Sequence, residues 1–179
     1  MNEADFHQIL TVSVGRPRNE GELTLGGERL RYSAPASLNG KGVGTNPEEL
    51  LISAVGACFS LTLAAILSVR KLPAASLEVA VDGVVAHGPA LEFRSVTVHP
   101  SVYAAAGDRA DDYRRAAEAA LQRCFIGGLI SAKVAYRLGE VTLVPAVADE
   151  LPVPRLLRAA WLPPLRDHPV NPDGMADVR

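Results

Sequence analysis

The chain has little net charge, few cysteines and no recognisable metal-ligand spacing. Across 179 residues, 18 Lys and Arg stand against 20 Asp and Glu, giving a formal charge of −2 and a pI near 6.1. Without a basic surplus, nucleic acid is not expected as the main partner. The two cysteines, Cys58 and Cys124, are too few and too far apart for a secreted disulfide scaffold. His7, His87, His99 and His168 are scattered, and none falls into a zinc-motif spacing, so neither metal nor cofactor is expected. The opening MNEADFHQIL lacks the basic start and apolar centre of a signal peptide. These absences together predict a cytoplasmic protein whose thiols are reduced at rest.

What the chain does have is apolar surface. Hydrophobic residues make up 48% of it, enough for the core of one domain. Leu50 to Val69 runs twenty residues without a charge, long enough to cross a bilayer. Ser53, Gly56, Ser60, Thr62 and Ser68 interrupt that run, however, and the remainder reads as a soluble α+β domain in need of a central helix. A buried helix is therefore expected, and no membrane partner.

The patterning supplies the other elements. FHQILTVSV (6–14) is β-prone, and GELTL and ERLRYSA straddle Gly26-Gly27 as a hairpin with a tight turn. SLNGKGVG is a glycine-rich loop. The central helix opens at TNPEEL, with Asn46 as cap, Pro47 at the first helical position, and Glu48 and Glu49 at the positive end of the dipole. It should end near Arg70, ahead of Pro73. SLEVAVDGVVAHG and ALEFRSVTVHPSV read as two long antiparallel strands. GDRADDYRRAAEAALQRC is a helix with an apolar stripe of Tyr113, Ala116, Ala117, Ala120 and Leu121, and Gly127-Gly128 is expected to break it. AYRLGEVTLV closes as a strand. From Pro145 the tail holds seven of the thirteen prolines and is set apart as an extension, 145–179, to a domain spanning 1–144.

Cys58 sits in the middle of the apolar run. A buried cysteine is ordinarily a small inert hydrophobe, and burial raises a thiol's pKa. About a dozen residues into its helix, Cys58 is beyond the reach of the N-terminal dipole. A reactive Cys58 therefore needs a cation from elsewhere in the structure. Nothing near it suggests the base or oxyanion hole of a hydrolase. Cys124 does not form a CxxC unit with it, and spacing alone does not establish that the two meet.

TNPEELLISAVGACFS resembles the signature of the Ohr/OsmC family of peroxide reductases (organic hydroperoxide resistance and osmotically inducible protein C). A second cysteine after an alanine-rich helix, and the order of elements from about residue 7 to 144, fit the same plan. RYSAPASLNGKGVGTNPEEL is more similar to the organic-hydroperoxide-resistance branch. The resemblance implies an intertwined α+β homodimer that reduces organic hydroperoxides with thiols. Cys58 would be the peroxidatic cysteine, Cys124 the resolving one, and Glu48 the partner of an activating arginine. Arg16, after Gly15, matches that arginine best, with Arg18 in reserve. The resemblance also implies a dithiol reductant, a lipoylated protein rather than thioredoxin. One departure is Phe125, which stands where the family usually has proline after the second cysteine.

Glu48 and Cys58, ten residues apart on a straight helix, are separated by about 15 Å. An Arg–Glu pair at the sulfur must then come from another subunit, which places Arg16 and Glu48 of one protomer opposite Cys58 and Cys124 of its partner. Phe59 and Leu61 are expected to offer an apolar setting for the R group of the peroxide. The alternative is a non-catalytic dimer of the same fold whose inter-subunit cavity binds a small apolar ligand.

Overall fold

The computed structural model describes residues 11–13, 20–104 and 109–146. Arg16, Arg18, most of the strand expected over 6–14 and the Pro-rich tail after Ala146 lie outside the described residues.

A three-stranded antiparallel sheet is built from β1 (Thr11–Ser13), β2 (Glu20–Leu25) and β3 (Glu28–Ser33) in that order. The predicted hairpin is present. Leu25 faces Glu28 across Gly26 and Gly27, whose φ values of 58° and 91° are those a two-residue turn of this hand demands. The following glycine-rich loop has its own internal geometry. It contains a 3₁₀ turn, Ala36–Leu38, and folds back so that Thr45 bridges to Tyr32. The buried Ser33 pins it, its hydroxyl accepting from Val43 N–H at 2.9 Å. Glu20 accepts hydrogen bonds from Lys41 and Arg31, which hold its carboxyl below the ordinary carboxylate range. The start of β2 is thereby tied to the loop that leads into the central helix.

That helix, α1 (Pro47–Val69), starts as its sequence dictates. Asn46 Oδ1 accepts from Glu49 N–H at 2.8 Å, and Pro47 occupies the first turn. It ends at Arg70, followed by Lys71 with φ 53°. β4 (Ser76–His87) and β5 (Leu91–Ala104) form the long antiparallel pair, with a bulge after Val84. α2 (Ala110–Arg123) buries Tyr113, Ala116, Ala117 and Ala120, the predicted stripe, while Leu121 at its edge is half-buried. The core is a sandwich of α1 (Val55, Phe59, Leu63, Ile66, Leu67), β5 (Val96, Val98, Val102) and the alanine face of α2. Small alanines let the two helices approach closely, and burying Phe59 alone stabilises the fold by about 2–3 kcal/mol.

Two expectations are corrected. Gly127-Gly128 does not break the helix. The break falls at Cys124, whose ψ of 108° is extended, and both glycines lie inside a further short helix, α3 (Phe125–Ser131). The segment AYRLGEVTLV is also not one strand. β6 (Ala135–Leu138) and β7 (Thr142–Pro145) both pair parallel to β5, with Val98 opposite Leu138 and Ser101 opposite Thr142. The edge therefore takes in one extra residue opposite His99 and Pro100, where Pro100 has no N–H to offer a ladder.

α1 is a core helix on one face only. Leu61 is 72% exposed, and Ser53, Ala57, Ala64 and Ser68 are also exposed. Among the described residues, nothing from its own chain covers that side.

Candidate active site

Cys58 projects from the middle of α1 and Cys124 from the hinge between α2 and α3. The fold brings both thiols to one turn of α3, where consecutive backbone N–H groups face them, and the proximity of Cys58 is one influence on the proton of Cys124. Cys58 is half-buried, and Cys124 is 1% exposed, so the deeper sulfur is the second one. Each receives a backbone donor from the first turn of α3. Ile126 N–H points at Cys58 Sγ at 3.5 Å, and Gly127 N–H at Cys124 Sγ at 3.3 Å. The Cys124 thiol in turn faces the carbonyl of Val55 at 3.9 Å. α1 therefore supplies one sulfur and an acceptor for the other, while α3 supplies a donor to each.

The extended backbone of Cys124 makes this convergence possible. Its φ, ψ of −65°, 108° end α2 and leave the side chain as the cap of α3. That is the conformation a following proline would favour. Here it is held with Phe125 in the next position, and Phe125 itself is 70% exposed.

Burial, the largest influence, pushes the Cys124 thiol above its ordinary value, and Cys58 pushes it the same way. The Tyr136 hydroxyl and Gly127 N–H pull it down. Tyr136 comes from β6, and burial and the neighbouring sulfurs raise its phenol far above the usual tyrosine range. Its hydroxyl oxygen is closed to solvent and lies beside Cys124 without a well-formed hydrogen bond. Sequence reasoning missed Tyr136 and both N–H donors. No local motif marks them, because only the turn at Cys124 and the pairing of β6 assemble them.

Glu48 is not in this cluster. α1 is unbroken from Pro47 to Val69, so the ten-residue separation puts it about 15 Å along the axis from Cys58. It lines a cleft with Pro35, Leu38, Ile52, His87 and Phe93, and its Oε2 is closed to solvent without a partner. Glu49 is otherwise engaged, accepting from the Thr45 hydroxyl at 3.0 Å, in keeping with a helix-start role. Phe59 is not on the open surface beside Cys58. It is fully buried in the core, because positions 58 and 59 lie on different faces of α1, whereas Leu61 remains outside. Among the described residues, no group of His, Cys, Asp and Glu is arranged to hold a metal ion.

The model of the OsmC-like protein family matches residues 39–138, more than half of the chain and a span that includes Glu48 and both cysteines. The chain belongs to the OsmC-like family. A curated relative in Bacillus subtilis (strain 168), the uncharacterized protein YmaD, is 34% identical over 83 residues. That alignment covers 46% of this chain and 55% of YmaD, so the chain spans about half the length of this relative. Among solved structures, an organic hydroperoxide resistance protein OsmC from Legionella pneumophila superimposes with a TM-score of 0.63 at 23% identity, covering 78% of this chain and 99% of that one. An organic hydroperoxide resistance protein from Elizabethkingia anophelis gives 0.64 at 18%, covering 80% and 100%. OhrB of Bacillus subtilis gives 0.59 at 20%, covering 76% and 98%. At these identities the likeness is one of fold, and it matches the α+β, OsmC-like fold expected from the sequence.

Proposed function

We propose that this OsmC-like protein is a thiol-dependent peroxidase that reduces organic hydroperoxides to alcohols. The observation that carries the reading is the meeting of Cys58 and Cys124 with an N–H aimed at each sulfur. The Cys58 thiolate attacks the terminal oxygen of R–O–OH, the O–O bond breaks, and the alcohol leaves after taking up a proton. Cys58 is left as a sulfenic acid. Cys124 condenses with it to give a Cys58–Cys124 disulfide and water, and an external dithiol then restores both thiols. By family resemblance that dithiol is a lipoylated protein, and the cycle runs in the cytoplasm.

An ordinary thiol is only a few per cent ionised at neutral pH, so Cys58 requires a cation. In this proposal the cation is Arg16, with Arg18 as the reserve, fixed by Glu48 and supplied by the partner in a homodimer. Two features support the arrangement. Glu48 keeps a buried, unpartnered carboxylate oxygen, which is costly unless a donor reaches it. α1 also leaves an apolar face open beside the thiols. Leu61, Phe125 and Leu129, exposed on the two helices that flank the sulfurs, are the surface available to an apolar R group.

The test is one equivalent of cumene hydroperoxide added to the reduced protein. Rapid loss of both thiols, with a product two hydrogens lighter, is expected. Thiols left intact would sink the peroxidase reading and favour the non-catalytic dimer that binds an apolar ligand.

A further inference from the structure

The surroundings of Cys124 divide by the protonation state they favour. Its near-complete burial and the Val55 carbonyl hold the proton on sulfur, whereas Gly127 N–H favours the thiolate. A resolving cysteine has to pass through that thiolate, and one backbone donor at 3.3 Å is a weak counterweight to burial. Tyr136 is the other donor in reach. Its ring packs against Gly127, where an added Cβ would come within 2.2 Å of a ring carbon, so the phenol is held in place. Its hydroxyl is sealed from water and lacks a well-formed partner in the reduced protein, leaving the O–H uncommitted next to the sulfur that is to become charged.

We propose that Tyr136 is a catalytic residue of the resolving step, its O–H donating to the Cys124 thiolate as that thiolate forms. The inference rests on the peroxidase reading above and adds a residue to it. Burial keeps the phenol protonated, so it serves as a donor and not as a base. In the step itself, Cys124 gives up its S–H proton and its sulfur pair forms the S–S bond to Cys58. The S–O bond of the sulfenic acid breaks, and the departing oxygen takes a proton and leaves as water. One thiol and one sulfenic acid are consumed, with no other oxidant.

Tyr136→Phe tests this, because it keeps the ring on Gly127 and removes only the hydroxyl. With Cys58 replaced by Ser, the ultraviolet absorbance of the Cys124 thiolate can be titrated alone. Adding Tyr136→Phe should raise its midpoint by about one pH unit, a tenfold loss of thiolate below it. With both cysteines present, disulfide formation after cumene hydroperoxide should slow about tenfold at neutral pH. Formation of the Cys58 sulfenic acid, trapped with a cyclic diketone, should keep its rate. A titration midpoint that does not move would overturn the role, as would an unchanged rate of disulfide formation. The titration uses no peroxide, so a protein that failed to reduce cumene hydroperoxide would refute the function and still report on Tyr136.

Discussion

A thiol buried as deeply as Cys124 makes stability depend on alkaline pH. Its folded pKa is raised, chiefly by burial, so the folded chain holds this proton more tightly than the unfolded chain. The resulting stabilisation is complete below the unfolded thiol value, about 8.5, and is lost as pH rises through the higher folded value. Cys124→Ala should therefore flatten the fall in stability on the alkaline side, as read from urea midpoints at a series of pH values. An alkaline fall as steep as that of the parent would show that another group titrates there. The residue scale is also where the sequence is read unevenly. Cys58 and Glu48 stand out in the sequence because TNPE followed by a cysteine is a local pattern, and Cys124 because it is the second of two cysteines and follows an alanine-rich helix. Ile126 N–H is 68 positions from the sulfur it faces, and no such pattern marks it.

Among the elements, α1, the β2–β3 hairpin, the β4–β5 pair and α2 were all legible, because each carries its own signal: a cap with proline, paired glycines, a period of two, an apolar stripe. α3 was not. Two adjacent glycines argue for a helix break on propensity alone, but tertiary contacts decide otherwise. Gly127 lies inside α3 because the Tyr136 ring occupies the place of its side chain, while Gly128 faces open space. The adjacent pair should therefore respond in opposite ways. Gly127→Ala has to displace the ring or the helix, and is expected to destabilise by about 1–3 kcal/mol and to slow disulfide formation. Gly128→Ala meets nothing and should gain about 0.5–1 kcal/mol from helix propensity. Denaturant midpoints of the two variants decide it. Equal effects would mean that the clamp on Tyr136 is not what places glycine at 127.

At the scale of the whole molecule, the proposed reaction is expected to need two chains. One chain brings its own two sulfurs together, yet an unbroken α1 keeps Glu48 about 15 Å from Cys58 along the helix axis. In a two-fold dimer each shared site would recur, with the arginine and glutamate of one protomer serving the thiols of the other. That arrangement is testable without a structure of the complex. Cys58→Ser should be inactive, and Arg16→Ala should be strongly slowed with fold and dimer intact. If Arg18→Ala alone slows the reaction, the cation is Arg18 and the same experiment is run with it. When the two defective proteins are unfolded, mixed in equal amounts and refolded together, half the dimers are hybrids. In each hybrid one site joins an intact Cys58 to an intact Arg16, and the other site lacks both. Activity toward cumene hydroperoxide should thus recover to about a quarter of the parent's. A site built within one chain predicts a different result, because no hybrid would then hold a complete set and mixing would restore nothing.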